Sequence, residues 1–140
     1  MRKKGTSVIT EDLCYDYCDL PKVVSALKFI CQQWQYDDAV IFGHAKDGNL
    51  HFAASMDLNS SDGEKRFEGL LNDMAELTVG KFDGSLKAEH GTGRNMAPFV
   101  EYEWGGDLYN IMWKIKNLAD TNSILNPEVL LPKDKKIKLQ

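Results

Sequence analysis

Apolar and polar residues follow two periods along the chain, one typical of strands and one typical of helices. Residues 6–13 are β-branched and apolar at their start, and they predict a first strand. Residues 39–45 and 49–56 are extended runs on either side of an Asp-Gly pair, which supplies the positive φ values that a hairpin turn needs. A short fourth strand is predicted over residues 84–88.

Three further segments carry apolar residues at helical spacing. The first lies over residues 20–34, where Asp19 or a neighbour can cap the amides of the first turn. The second begins at Ser61 and Glu64, which have the spacing of a capping box. The third begins near Asp107.

This order of elements predicts an α+β fold of the ferredoxin-like, split β-α-β type. Its antiparallel sheet is covered by helices on one face, and an additional helix follows at the C-terminus. The other face of the sheet is left for a partner. We expect a single domain over residues 1–140, in which residues 131–140 form a basic tail or linker.

Composition narrows the classes of function. Hydrophobic residues make up 43% of the chain and charged residues 27%, as in ordinary globular domains. There is no run of about 18 apolar residues, and no apolar stretch follows the N-terminal charges, so we expect neither a transmembrane helix nor a secretory signal. The net charge of −4 argues against non-specific nucleic-acid binding.

The cysteines and the chain ends give weaker indications. Cys14, Cys18 and Cys31 form no C-x-x-C pair, which favours a reducing cytoplasm. Basic residues lie at positions 2–4 and again over positions 133–138. They are either solvated ends or linkers, or cut points in a longer polypeptide, and composition does not decide between these.

The chain has three histidines, and two of them flank the predicted hairpin turn. A turn over residues 46–49 pairs His44 with His51, which places their Cβ atoms about 4.5–5.5 Å apart on one face. Glu89, beside His90 at the end of the predicted fourth strand, adds a carboxylate. Two histidines and one carboxylate form a ligand set for zinc or iron(II). The alternative is a cross-strand histidine pair that is hydrogen-bonded without a metal.

Two longer stretches resemble the signatures of a known family. Residues 42–51, FGHAKDGNLH, resemble the GHxGDGNLH signature of the FAD-linked oxidase C-terminal domain, and residues 84–93, GSLKAEHGTG, resemble its GGxxxAEHGxG signature. Residues 124–127 resemble its closing ILNPG, and residues 9–12 resemble its opening EDV stretch. Order and spacing match from about residue 6 to residue 130.

The resemblance implies a function as well as a fold. The family includes D-lactate dehydrogenases, glycolate oxidase subunits and D-2-hydroxyglutarate dehydrogenases of the vanillyl-alcohol-oxidase flavoprotein type. In these proteins an N-terminal domain of two lobes binds FAD, and this domain caps the flavin ring. The chain is therefore expected to take part in the FAD-dependent oxidation of a D-2-hydroxy acid to a 2-oxo acid. Residues 97–106 look most like long members with an iron–sulfur domain after the cap.

Roles follow from the resemblance residue by residue. The metal-ligating positions are matched by His44, His51 and Glu89. His90 matches the histidine that takes the proton of the substrate hydroxyl, so we expect it to be catalytic. The positions near the cofactor are matched by Gly91, Gly93 and, in a supportive role, Asn49.

Three residues depart from the family pattern. Lys46 replaces a glycine before Asp-Gly, and Ala53 stands where hydroxyglutarate-specific relatives have an asparagine that contacts substrate. These two put the substrate in doubt. Glu128 replaces the glycine after Asn-Pro, which we expect to be a harmless change in a loop.

Without a flavin-binding segment the isolated chain is expected to be inactive, and its expected partners are an N-terminal FAD-binding domain of the same polypeptide and a small 2-hydroxy acid. We expect a cytoplasmic location, with peripheral membrane association left open for the full-length enzyme. Two alternatives remain. One is a free-standing ferredoxin-like module that binds a metal or small ligand without catalysis, and the other is a structural fragment with a satisfied histidine pair.

Overall fold

The structure is a computed structural model that describes residues 4–134, and it confirms the α+β class. Its strands and helices are, in chain order, β1 (Ser7–Cys14), α1 (Leu20–Gln33), β2 (Val40–Phe42), β3 (Asn49–Met56), α2 (Ser61–Ala75), α3 (Gly93–Met96) and α4 (Val100–Ala119). The chain divides into two compact units, one ending at His90 and one beginning at Gly91. The sheet, α1 and α2 belong to the first unit.

The sheet consists of antiparallel strands in the order β1-β3-β2. Along β3, alternate residues share one face of the sheet, and four of them are buried in the core: Leu50, Phe52, Ala54 and Met56. His51 lies between Leu50 and Phe52 and therefore points to the opposite face. This alternation separates the packed face from the face that carries the histidine.

The core of the first unit includes apolar residues from both of its long helices. Val23 and Leu27 of α1 are almost fully buried, as are Phe67, Leu70 and Met74 of α2. These residues lie on the helical stripes that the sequence predicts. Full burial of a side chain such as Leu or Phe contributes about 1.5–3 kcal/mol, so burial of these stripes stabilises the packing of both helices.

The predicted fourth strand is wrong. Within residues 4–134, Ser85 pairs with β1 only through an isolated antiparallel bridge to Cys14, with N–O distances of 2.9 and 2.8 Å. The Ser85 hydroxyl then bonds to both the carbonyl and the amide of Lys87. Because this local bonding competes with a strand ladder, pairing stops after one residue.

The predicted register of the hairpin is also wrong. Phe42, and not His44, is the partner of His51 across the strands. The residues between β2 and β3 include a short 3-10 turn over Ala45–Asp47, which ends at Gly48 with a φ of 71°. The positive φ expected of the Asp-Gly pair is therefore present, but the connection is longer than four residues. His44 lies in this loop and not on a strand.

Two helix caps differ from the sequence prediction. Asp19 makes no side-chain cap to α1 and instead pairs with Lys22 at 2.9 Å, while Asp16 caps the preceding 3-10 turn. At α2 the capping residue is Ser60, whose hydroxyl accepts a hydrogen bond from the Gly63 amide at 3.1 Å. The cap therefore lies one residue before the expected capping box.

The second unit is built around α4. This helix begins earlier than expected, but Gly105 interrupts it with a φ of 76° and a ψ of 160°, so the uninterrupted part begins close to Asp107. Its small core consists of Val100, Tyr109 and Leu131, with Met112 and Trp113 packed against them.

The loop after α4 contains a residue in an unusual conformation. Glu128, which stands where the family has a glycine, has a φ of 58°. A left-handed conformation costs a residue with a side chain roughly 1–2 kcal/mol. The replacement of glycine is therefore accommodated at a backbone cost.

Within residues 4–134, no helix is both long enough and apolar enough to cross a membrane. The basic segment predicted over residues 131–140 is described only as far as Asp134. Its remaining residues, 135–140, lie outside the described residues, as do Arg2 and Lys3.

We predict that Gly48→Ala lowers the free energy of unfolding by at least about 2 kcal/mol. A Cβ atom at Gly48 would lie 1.9 Å from the carbonyl oxygen of Tyr15, so the loop would have to move away from the end of β1. Gly91→Ala is the control, because Gly91 has a similar φ of 75° and no atom within 4 Å of that position. It should cost only about 1 kcal/mol. Urea unfolding measures both, and equal losses would contradict the close contact.

Candidate metal centre

Three imidazole rings surround one carboxylate oxygen on the outer face of the sheet. The Oε1 atom of Glu89 lies 3.0 Å from Nε2 of His44 and 3.1 Å from Nε2 of His51. Nε2 of His90 is farther from it, at 3.9 Å. All the residues expected to ligate a metal, and the expected base, are therefore brought together.

Each side chain reaches this point from a different kind of backbone. His51 is held on the central strand β3, and only 8% of its side chain is exposed. His44 lies in the loop before β3, with its ring centroid 5.4 Å from that of His51. Glu89 follows the isolated bridge at Ser85. The rings meet although the register is not the predicted one, because the longer loop carries His44 back over His51.

His90 lies beside this cluster, but its ring is farther from the Glu89 oxygen than the rings of His44 and His51 are. Its ring stacks on that of His51, with the centroids 4.6 Å apart and the planes 4° from parallel. About half of its side chain is exposed. The distance from His90 to Glu89 exceeds a hydrogen bond, so Nε2 of His90 is not engaged by that carboxylate.

Asp12 on β1 is the main residue of the site that the sequence did not identify. Its side chain is fully buried, and Oδ2 accepts hydrogen bonds from three successive backbone amides, those of Ala88, Glu89 and His90, at 3.0, 2.7 and 2.8 Å. Oδ1 accepts a further bond, of 2.7 Å, from Nδ2 of Asn49. The available signal was a carboxylate inside a predicted strand, next to Glu11, where an unpaired charge is costly.

These bonds set the charge of Asp12. Burial of the carboxyl raises its pKa, but the hydrogen bonds outweigh burial and lower the pKa of Asp12 from 3.8 to about 2. The largest of the lowering contributions comes from the amide of His90, followed by those of Glu89, Asn49 and Ala88. Asp12 is therefore ionised at neutral pH.

Two buried polar atoms next to Asp12 have no hydrogen bond within residues 4–134: Nδ1 of His51 and Oδ1 of Asn49. His51 Nδ1 lies 3.1 Å from Oδ1 of Asp12, which is close enough for an ion pair but not aligned as a hydrogen bond. The Asp12 carboxylate is therefore within reach of this nitrogen.

The donor set fits a divalent metal ion. Bonds of about 2.0–2.1 Å place neighbouring ligand atoms about 2.9–3.4 Å apart in octahedral or tetrahedral sites. The separations of 3.0 and 3.1 Å between Glu89 and the two nearest histidines are within that range. Asp12, His51, Glu89 and His90 also offer ligand atoms that lie within 4.8 Å of one another, a group that does not include His44, but the oxygens of Asp12 are already engaged. Two imidazoles and a carboxylate are suited to zinc or iron(II).

A cleft of about 380 Å³ opens beside the cluster, lined by Cys14, His44, Asp47, Asn49, Ala88 and Glu89. Its volume is in the range of small-molecule sites. Gly91 and Gly93 follow the site with φ values of 75° and 66°, which explains the need for glycine. The cofactor roles of these glycines and of Asn49 stay a prediction.

Comparison with known proteins agrees with the family that the sequence motifs resemble. The sequence model of the family described as FAD linked oxidases, C-terminal domain, matches residues 1–130. Glycolate oxidase subunit GlcD of Bacillus subtilis is 31% identical over 134 residues, which are 95% of this chain and 28% of that protein. The mitochondrial D-lactate dehydrogenase [cytochrome] of Arabidopsis thaliana is 30% identical, over 91% of this chain and 22% of its own length.

D-2-hydroxyglutarate dehydrogenase of Haemophilus influenzae is 32% identical over 99% of this chain, which corresponds to 14% of that protein. The chain thus spans between 14% and 28% of the length of these curated relatives.

We predict that Asp12→Asn destabilises the chain by roughly 2 kcal/mol at pH 7, because lowering the pKa of this carboxyl from 3.8 to about 2 corresponds to that amount. The folded pKa lies below the unfolded one, so the contribution is present above about pH 4 and is lost as pH falls towards 2. The difference between the two proteins should shrink over that interval. Chemical unfolding at several pH values measures it, and a difference that stays constant would contradict an ionised Asp12.

Proposed function

Because the chain belongs to the family of FAD-linked oxidases, as their C-terminal domain, we propose that it is the metal- and substrate-binding cap of an FAD-dependent dehydrogenase. The reaction is the oxidation of a D-2-hydroxy acid to a 2-oxo acid. The observation that carries the proposal is the convergence of His44 and His51 on the Glu89 carboxylate, with His90 stacked beside them.

The partner in this proposal is an N-terminal FAD-binding domain of the same polypeptide. The small share of each relative that the chain spans supports this arrangement. An iron–sulfur domain after the cap stays a prediction that rests on residues 97–106. The long relative from Haemophilus influenzae, of which the chain spans 14%, is consistent with it.

The residues of the site have separate tasks. His44, His51 and Glu89 hold zinc or iron(II), which when bound supplies a positive charge that orients a 2-hydroxy acid and makes its hydroxyl more acidic. His90 accepts the hydroxyl proton, since a neutral imidazole has one nitrogen with a free lone pair and the Nε2 atom of His90 is not engaged by Glu89. FAD, held by the N-terminal domain in this proposal, would supply the acceptor for the hydrogen that leaves the substrate carbon as hydride.

The choice of 2-hydroxy acid depends on the residues around this site. Ala53 lies on β3 on the same face as His51 and pairs with Thr10 and Val40. It has no polar group where hydroxyglutarate-specific relatives have an asparagine. We therefore test D-lactate, glycolate and D-2-hydroxyglutarate side by side.

A second candidate is a metal-binding or small-ligand-binding module without catalysis. The same ligand cluster supports it, because a structural or sensory metal site needs no base. The two candidates differ at His90, whose loss affects only the catalytic one.

We predict that the purified chain of 140 residues is colourless and does not oxidise D-lactate, glycolate or D-2-hydroxyglutarate. The physical reason is that a hydride acceptor is required and the proposed cap does not hold FAD by itself. Absorbance between 350 and 500 nm and a dye-reduction assay make the measurement. A yellow preparation with stoichiometric FAD would show that the cofactor site is misplaced.

We predict that His51→Ala reduces zinc affinity by more than about 100-fold, since it removes a ligand, and even loss of a residue that only supports a ligand costs about 10–100-fold. His90→Ala is the matched variant, because the two rings stack on each other. It should retain the metal and, in the flavin-containing enzyme, reduce turnover by about 10²–10⁴-fold.

Elemental analysis of each variant, alongside turnover, separates the two roles. If His90→Ala loses the metal while Glu89→Ala keeps it, the roles are exchanged. If His90→Ala retains both metal and full turnover, His90 is not the base.

A further inference from the structure

Two roles at the proposed metal site are open to Asp12, that of a ligand and that of a residue that positions the ligands. Asp12 lies within 4.8 Å of the donor atoms of His51, Glu89 and His90, so distance alone allows it as a fourth ligand. We propose instead that Asp12 is a positioning residue, which fixes the tautomer of His51 and the conformation of residues 88–90 so that Nε2 of His51 and the Glu89 carboxylate face a common ion. This inference rests on the proposed metal site.

The carboxylate oxygens of Asp12 already accept hydrogen bonds. Oδ2 accepts three amide hydrogen bonds of 2.7–3.0 Å, and Oδ1 accepts one of 2.7 Å from Asn49. A carboxylate oxygen has about two lone-pair sites, so Oδ2 has no site left for a metal ion. Moving Asp12 towards an ion would break these bonds in a fully buried place, where each unsatisfied group costs about 1–3 kcal/mol.

The proton of His51 also needs a hydrogen-bond acceptor. A neutral imidazole has one nitrogen with a proton and one with a free lone pair, and a metal takes the lone pair. Nε2 of His51 faces Glu89 at 3.1 Å, so it is the ligand atom, and the proton must be on Nδ1. Nδ1 is buried, has no aligned hydrogen bond to any residue that the structure describes, and lies 3.1 Å from Oδ1 of Asp12. Asp12 is thus placed to accept that proton's hydrogen bond when the ion binds.

The same carboxylate also holds the segment that carries Glu89. After the bridge at Ser85 the described chain has no strand pairing, yet the amides of Ala88, Glu89 and His90 all point at Oδ2 of Asp12. The backbone on both sides of the Glu89 side chain is therefore fixed from β1. One side chain accordingly orients ligands that are 38 residues apart, His51 and Glu89.

Substitution by asparagine tests both functions of the carboxylate. If the asparagine oxygen accepts the three amides, its NH₂ group faces Nδ1 of His51, and two donors meet. If the side chain is flipped, the NH₂ group faces three amide donors. Either orientation disfavours the tautomer or the loop that the ion needs. We expect Asp12→Asn to weaken zinc binding by about 10–100-fold.

The matched control is Glu11→Gln. Glu11 is the preceding residue on β1 and is equally buried, but it points to the opposite face, where its carboxylate pairs with Lys87 at 3.2 Å. The control therefore removes a buried negative charge from the same strand without touching His51. Its zinc affinity should stay within about threefold of the unchanged chain, which separates positioning from a general loss of stability.

The experiment uses the full chain of 140 residues with Zn²⁺ as the probe. Competition with a chelating dye gives the affinities of the unchanged chain, Asp12→Asn and Glu11→Gln. Long-range ¹H–¹⁵N correlation spectra of the zinc-loaded unchanged chain, with ¹⁵N-labelled histidine, give the tautomer of His51. The spectra need no variant, so the test stands even if Asp12→Asn does not fold.

The outcomes are distinct. Absence of zinc binding by the unchanged chain overturns the proposed metal site itself. If the chain binds zinc with a proton on Nδ1 of His51, and Asp12→Asn is weakened while Glu11→Gln is not, the inference is supported. If zinc binds but His51 coordinates through Nδ1, or if a folded Asp12→Asn binds within about threefold of the unchanged chain, Asp12 is not a positioning residue and the inference fails.

Discussion

The candidate site depends on the burial of one negative charge. A carboxylate without water is tolerated only if hydrogen bonds replace its hydration, and Asp12 receives them from three backbone amides and from Asn49. The bonds that offset the cost of burial also connect β1 to the segment that carries Glu89. Without them the nearest backbone pairing of that segment to the sheet, within the described residues, is the bridge at Ser85. The same hydrogen bonds therefore stabilise the buried charge and fix the geometry of the site.

This constraint explains why the site combines a rigid and an accessible part. His51 is held on the central strand with little exposure, while about half or more of the side chains of His44, Glu89 and His90 is exposed. A ligand on a strand fixes the position of an ion, and ligands on loops leave room beside it for a small molecule. The cleft next to Glu89 is this room.

Local pattern determined much of the first unit. The alternation along β3 and the helical stripes of α1 and α2 depend on short-range periodicity, and these elements have almost the predicted bounds. Details that depend on competing local hydrogen bonds were not predicted correctly from this pattern. Ser60 caps α2 in place of Ser61, and the Ser85 hydroxyl bonds to Lys87 where a strand was predicted. The hydrogen bonds of a single hydroxyl group decide where a helix is capped or where strand pairing ends, and hydrophobic periodicity does not predict them.

The sequence by itself determined the α+β class, the family and the four residues around the candidate ion, because signature motifs and hydrophobic periods are local properties. Only the tertiary structure decided how those residues meet. His44 reaches His51 from a loop and not across a strand pair, since the longer connection after Phe42 carries it there. Asp12, 32 residues from His44 and 77 from Glu89, became part of the site only when β1 paired with β3. The role of a buried carboxylate depends on which backbone amides surround it in the folded chain, and the spacing of residues in the sequence does not specify those amides.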